Sequence, residues 1–149
     1  MKKMFFTTIL LVFFFNVINA QIDRPVKWSF ASKIIGDKEA IVFIKGTIEK
    51  GWHIYSTKQA KGGPFNTRIY FSPADNYLLK GNVVEPTPIT KREQVYDMNV
   101  FTFEDEVTFL QKIKFKRSNL VIKCSVEFMA CTDKKCLNPE TVNFEVPIK

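Results

Sequence analysis

Histidine is nearly missing from this chain: His53 is the only one in 149 residues. A zinc site would have to combine it with all three cysteines, Cys124, Cys131 and Cys136, and their spacing fits no usual finger. The Cys-x-x-Cys-His run of haem attachment is absent. No serine stands in a nucleophile elbow, so a Ser-His-Asp hydrolase is unsupported. Neither a metal nor a small-molecule cofactor is expected. His53 lies among aromatics, where it reads as a packed or surface residue rather than a catalytic base. No internal repeat, low-complexity linker or sustained 3.6-residue apolar period is present. Only one long apolar run occurs, at the start.

That run carries the marks of export. Lys2 and Lys3 form a positive cluster, Met4–Phe15 is apolar except for Thr7 and Thr8, and Ala20 precedes a plausible cut before Gln21. A spanning helix needs about 20 apolar residues, and this stretch stops short. Residues 1–20 therefore read as a signal peptide and residues 21–149 as one soluble exported domain. Ile18 is bulkier than the residue favoured three positions before a cut. No cysteine follows the run to accept a lipid. The mature chain has 149 − 20 = 129 residues, and loss of Lys2 and Lys3 lowers the basic count from 22 to 20 against 15 acidic residues, a net +5. Much of the excess comes from Lys112, Lys114, Lys116 and Arg117. The lysines alternate with Ile113 and Phe115, which places them on the wet face of a strand. Nucleic acid is not an expected partner.

What is present is strand after strand. Trp28, Phe30 and Ile34 alternate with polar residues, and Ile41–Ile48 is rich in β-branched side chains. Trp52–Tyr55, Thr67–Phe71 and Tyr77–Val84 are short candidates. Val107–Phe115 alternates cleanly, Leu120–Ala130 reads as one strand, and Thr141–Ile148 puts Val142, Phe144, Val146 and Ile148 on one parity. Short strands with Gly, Pro and Asn punctuation predict an all-β sandwich or barrel. Phenylalanine, 15 in the whole chain, suits such a core. Trp28, Trp52 and Tyr55 could form a sugar platform, but core packing is the expected use of the tryptophans. The longest irregular stretch is Glu85–Asn99, and a loop of that length in a compact domain is often functional.

Three cysteines in an exported protein leave one over. Cys131 and Cys136 flank the polar loop Thr132–Lys135. If the flanking runs pair as a hairpin, the two face each other at about 4.5–5.5 Å, inside the Cα window of about 4.4–6.8 Å that a disulfide needs. Cys124 and Cys131, seven residues apart on one extended strand, would be about 23 Å apart. Cys124 shares parity with Ile122, Val126 and Phe128 and is expected as a buried free thiol. From the residues alone the bond is either a redox switch or a permanent stitch in a hairpin.

The segments Gly51-Trp52-His53-Ile54-Tyr55-Ser56, Gly63-Pro64-Phe65-Asn66-Thr67, Glu85-Pro86, Tyr96-Asp97, Val107-Thr108-Phe109, and Phe128 to Cys131 followed by Cys136-Leu137-Asn138-Pro139-Glu140 suggest a family. In this order the chain resembles the N-terminal periplasmic domain of the thiol:disulfide interchange protein DsbD, in a Bacteroidetes-like, stand-alone form. The resemblance implies an immunoglobulin-like β-sandwich in the periplasm, with Cys131 and Cys136 as the redox pair and Cys136 forming the mixed disulfide. It implies electron transfer from a membrane-embedded thiol reductase to periplasmic thioredoxin-like or disulfide isomerase-like proteins, cytochrome c biogenesis among the processes served. Because the chain ends at Lys149, the reductase is expected to act in trans. Lys134 and Lys135 favour a thiolate and Asp133 opposes it. The family also implies a cap over the disulfide, here Tyr96, Asp97, Met98 or Phe101, with Val100 a further candidate. This stretch is shorter than usual and lacks the Phe-Gly pair. Asn138 stands where a first of two prolines is usual. The alternative is a non-catalytic exported binding or accessory module of the same fold, its disulfide structural.

Overall fold

Alternation of apolar and polar side chains drives most of this chain into strands. The computed structural model describes residues 23–117 and 119–149. The segment read as a signal peptide, residues 1–20, lies outside the described residues. Eleven strands follow in order: β1 Val26–Gly36, β2 Glu39–Ile48, β3 His53–Tyr55, β4 Arg68–Phe71, β5 Tyr77–Val84, β6 Ile89–Glu93, β7 Met98–Phe103, β8 Glu106–Phe115, β9 Leu120–Phe128, β10 Ala130–Cys131 and β11 Glu140–Ile148. Among the described residues there is no helix.

The strands form three antiparallel sheets, ordered β1-β2-β8-β5, β10-β3-β7-β6 and β11-β9-β4. Inward residues of the first, Val42, Ile44, Phe109 and Ile113, share one buried cluster with Ile122, Cys124, Val126, Val146 and Ile148 of the third. Two aromatics of β1 span the gap. Phe30 stacks on Phe144 of β11 at 3.5 Å between ring centroids, and Trp28 meets Phe128 of β9 edge-on at 5.2 Å. Both tryptophans pack against this core, and Tyr55 is 3 % exposed, so these three rings serve packing, as expected. Each large side chain removed from water contributes roughly 1.5–3 kcal/mol, which makes this layer the main source of stability. The result is an all-β sandwich, as the strand pattern predicts, of the immunoglobulin-like kind that the resemblance implies.

On β8, Lys112 and Lys114 are exposed while Ile113 and Phe115 are buried, as the alternation predicts. Just before them Gln111 is 1 % exposed. Its Nε2 donates to the carbonyls of Gly81 and Lys112 at 3.2 and 2.8 Å, and so fastens the irregular middle of β5.

Two expectations are corrected. The stretch Glu85–Asn99 is not irregular: it contains β6 and the start of β7, paired from Ile89↔Thr102 to Glu93↔Met98. Its sequence Ile-Thr-Lys-Arg-Glu shows no alternation because β6 is a sheet edge, almost entirely exposed. The run Leu120–Ala130 is also not one strand. It breaks at Met129, where the chain leaves β9, paired with β4 and β11, and enters β10, paired with β3. Cys124 and Cys131 thus belong to different sheets.

Candidate functional site

A disulfide joins Cys131 and Cys136, and Cys124 is free and buried. The hairpin that carries the bond is minimal. Cys131 closes β10, and Cys136 meets it through a single antiparallel bridge. The flanking residues make the hydrogen bonds: Thr132 N donates to Lys135 O at 2.8 Å and Leu137 N donates to Ala130 O at 2.9 Å. The cysteines are therefore a non-hydrogen-bonded pair, the closer of the two antiparallel kinds. Their Cα atoms are 4.0 Å apart, nearer than the expected window.

Thr132 shapes the loop between them. Its Oγ1 accepts from Lys134 N and Lys135 N at 3.2 and 3.1 Å. A Thr side chain that bonds its own following backbone is a turn former.

The two sulfurs have opposite environments. Cys131 is 1 % exposed and packs with Tyr55 and Val100, with Tyr96, Met98 and Met129 against them. Cys136 is exposed. It lines an open cleft of about 520 Å3 together with His53, Tyr55, residues 91–96 and residues 132–135. One wall of the cleft is the β6–β7 hairpin, the other is the disulfide loop, and Lys91 Nζ bridges the two to Asp133 Oδ1 at 2.5 Å. That bond, then the charge of Lys91, holds the Asp133 carboxyl below its ordinary value.

The residues named as cap candidates separate here. Tyr96 lines the cleft and packs in the cluster around Cys131. Met98 and Val100 belong to the same cluster. Asp97 occupies the hairpin turn with φ +50°, a conformation Asp tolerates better than most residues. There it pairs with Arg92. Phe101 alternates to the other face of β7 from Val100. Its backbone is held by Gln59, which takes a hydrogen bond from Phe101 N at 3.2 Å and donates one to Phe101 O.

Several contributors were not legible in the sequence. Lys91 to Val95 reach the cleft because β6 pairs with β7. His53 reaches it because β3 pairs with β10, opposing His53 to Cys131. Burial, then the charge of Lys91, holds its imidazole below the ordinary 6.5. Glu85 is a buried fastener: its carboxylate accepts from Ser56 Oγ, Thr57 N and Thr57 Oγ1 at 2.5, 3.0 and 2.9 Å. Asn66 Nδ2 donates to Thr57 O at 3.1 Å, and Thr67 Oγ1 donates to Tyr55 O. These bonds tie the loop after β3 behind the cleft. Cys124, by contrast, is out of reach of the chemistry, its thiol pushed up to about 12 by burial.

Comparison with known proteins agrees with this architecture. The sequence matches the family described as thiol:disulfide interchange protein DsbD, N-terminal, over residues 24–148. The reduced form of the DsbD N-terminal domain from Neisseria meningitidis is similar in structure, with a TM-score of 0.56 at 16% identity, covering 80% of this chain and 84% of that one. The complex between the DsbD N-terminal and PilB N-terminal domains of the same organism gives 0.56 at 15% identity, covering 82% of each chain. The N-terminal periplasmic domain of ScsB from Proteus mirabilis gives 0.54 at 14% identity, covering 80% of this chain and 44% of that one. Comparison with curated protein sequences gave no match.

Proposed function

The chain belongs to the thiol:disulfide interchange protein DsbD N-terminal family, and from that premise we propose that it is an exported thiol-disulfide relay working through Cys131–Cys136. One observation carries the reading: Cys136 is open to solvent in a cleft while Cys131 is 1 % exposed. Thiol-disulfide exchange needs a thiolate to approach one sulfur in line with the bond. Only Cys136 Sγ offers that approach. The partner thiolate bonds to Cys136 Sγ, the Cys131–Cys136 bond breaks, and its electron pair leaves on Cys131 Sγ. A second partner thiol then resolves the mixed disulfide and leaves both cysteines reduced. Run in reverse, the Cys136 thiolate attacks a partner disulfide and Cys131 resolves it.

The electron donor is a membrane-embedded thiol reductase, and the acceptors are periplasmic thioredoxin-like or disulfide isomerase-like proteins. Family membership supports this assignment, as does the existence of a DsbD–PilB domain complex. The signal-like N-terminus and the periplasmic ScsB domain of the same fold support a periplasmic location. The β6–β7 hairpin acts as the cap, with Tyr96 and Met98 as its contacts on the disulfide side and Asp97 as the turn that shapes it.

The test is covalent trapping. Cys131→Ser accumulates a mixed disulfide through Cys136 in the exported compartment, visible on a non-reducing gel, and Cys136→Ser gives none. No complex with Cys131→Ser, together with a reduction potential below about −300 mV, would instead mark a structural bond in an accessory module.

A further inference from the structure

Within the proposed relay, burial creates a difficulty that the cleft also resolves. Cys131 must leave as a thiolate when the disulfide opens, and must attack as a thiolate when it resolves a mixed disulfide. Yet it is 1 % exposed, and burial disfavours the charged form of a thiol. Cys124 shows the size of that effect in this same fold, its thiol pushed up to about 12 by burial alone.

A cation or proton carrier beside Cys131 is therefore required, and the cleft offers few. Lys91 is paired with Asp133, Lys135 with Asp23 at 2.6 Å, and Arg92 with Asp97. Lys134 sits on the exposed loop. His53 differs from all of these. It is directly opposite Cys131 in the β3–β10 register. Opposed residues of an antiparallel pair project to the same face with Cβ atoms about 4.5–5.5 Å apart. The ring is 6 % exposed, set edge-on against Tyr55 at 5.3 Å between centroids, and opens onto the cleft beside Cys136.

We propose that His53 is the proton-holding partner of Cys131, neutral while the disulfide is closed and imidazolium when Cys131 is a thiolate. This rests on the relay reading and adds to it the identity of the group that makes the buried sulfur usable. The step balances. A partner thiolate bonds to Cys136 Sγ and the Cys131–Cys136 electron pair moves to Cys131 Sγ. One of the two protons that accompany the two electrons of a partner dithiol is then held on the His53 imidazole. On the return stroke the Cys131 thiolate re-forms the disulfide, the partner's sulfur departs, and His53 releases its proton to that sulfur or to water.

The charge field around the ring suits a switch between the two forms. Lys91 of β6 disfavours the imidazolium, whereas Glu104 of the β7–β8 turn, Asp133 of the disulfide loop and Glu93 of β6 favour it. Tyr55, edge-on to the ring, is pushed up to about 12, chiefly by burial. Burial is the larger bar to the imidazolium, and with the fixed charges opposed a new negative charge on Cys131 Sγ is what favours it.

The single histidine makes the experiment direct. Imidazole carbon-bound protons are followed by NMR through a pH titration of the wild-type protein, first oxidised and then reduced with dithiothreitol. The His53 midpoint is expected below 6.5 when oxidised and at least about one pH unit higher when reduced, the shift an opposite charge within about 4–6 Å produces. In parallel, Cys131 labelled at 13Cβ reports its own ionisation in reduced wild type and in His53→Gln. Its midpoint should rise by about one unit or more in the variant, while that of Cys124 stays put. Equal histidine midpoints in the two redox states, or an unmoved Cys131 midpoint in His53→Gln, overturns the proposal. The relay itself is judged separately by the Cys131→Ser mixed disulfide, which needs no histidine. A trapped complex with unmoved midpoints sinks only the role of His53.

Discussion

At the scale of single residues, the burial of His53 ties stability to pH while the disulfide is closed. Above about pH 7 the imidazole is neutral whether the chain is folded or not. As pH falls through its ordinary value of 6.5, the unfolded chain takes up a proton that the folded, oxidised protein resists. The unfolded state then binds more protons, so stability falls as pH falls. Urea unfolding of the oxidised protein should show this slope between about pH 7 and 5, and His53→Gln should flatten it. Carboxylates act in a lower window. Asp133 and Glu39 are held down first by hydrogen bonds from Lys91 and Lys112, so their contribution is present above their ordinary values of 3.8 and 4.5 and is lost as pH drops through the folded ones. At this scale the sequence reveals the Cys131–Cys136 pairing and the inward Cys124, because both follow from strand parity and loop length. It does not reveal which sulfur faces solvent or what lies opposite Cys131. Those depend on β3 and β10 becoming neighbours across some seventy-five residues of chain, and no local pattern encodes that.

At the scale of elements, the β6–β7 hairpin is the part most easily missed and the part proposed as the cap. Its first strand is exposed on both faces and polar after Ile89, which leaves no period to detect, whereas β2, β8 and the second half of β11 declare themselves by burying every second residue. The hairpin touches the disulfide side through Tyr96 and Met98, and its tie to the opposite wall is the ion pair Lys91–Asp133, with side chains 43% and 79% exposed. Such an exposed pair contributes at most about 1 kcal/mol, so Lys91→Ala should speed reduction by a small thiol by no more than about fivefold. Tyr96→Ala and Met98→Ala, by removing packing around Cys131, should speed it more. Phe101→Ala, on the other face of β7, should leave the rate near wild type. Stopped-flow reduction by dithiothreitol checks all four, and a fast Phe101 variant with slow Tyr96 and Met98 variants would contradict the assignment of the cap.

At the scale of the molecule, the disulfide lies at the margin of the core. The main buried cluster takes in Ala130 of β10, Ile54 of β3 and Phe103 of β7, but Cys131 itself packs in a smaller cluster with Tyr55 and Val100, and the bond spans a sequence separation of only 5. A ring that small stabilises by roughly 2 kcal/mol on the chain-entropy account, against the ~5–15 kcal/mol of a typical domain. Thermal unfolding should show the reduced protein folded, its Tm lower by about 5–12 °C. Loss of the cooperative transition on reduction would contradict this placement. The sandwich itself was legible from the first strand to the last because each core strand carries its own alternation. Of the second sheet only β3 was, as the run Trp52–Tyr55; its other strands are short or polar and are held as much by side-chain fasteners such as Glu85 and Gln59 as by their own pattern.

Thr132 carries one further consequence. Its hydroxyl and backbone hold the disulfide loop by hydrogen bonds that involve neither sulfur, so the loop should keep its outline whether the bond is open or closed. In the proposed relay a partner would then meet nearly the same face before and after exchange, and its docking would not report whether electrons are on board. Spent molecules should crowd the acceptor as effectively as loaded ones. In a steady-state assay with a partner disulfide, added oxidised protein should act as a competitive inhibitor with an inhibition constant close to the KM of the reduced form. If oxidised protein fails to inhibit, the face must change on exchange, and the loop would have to move despite Thr132.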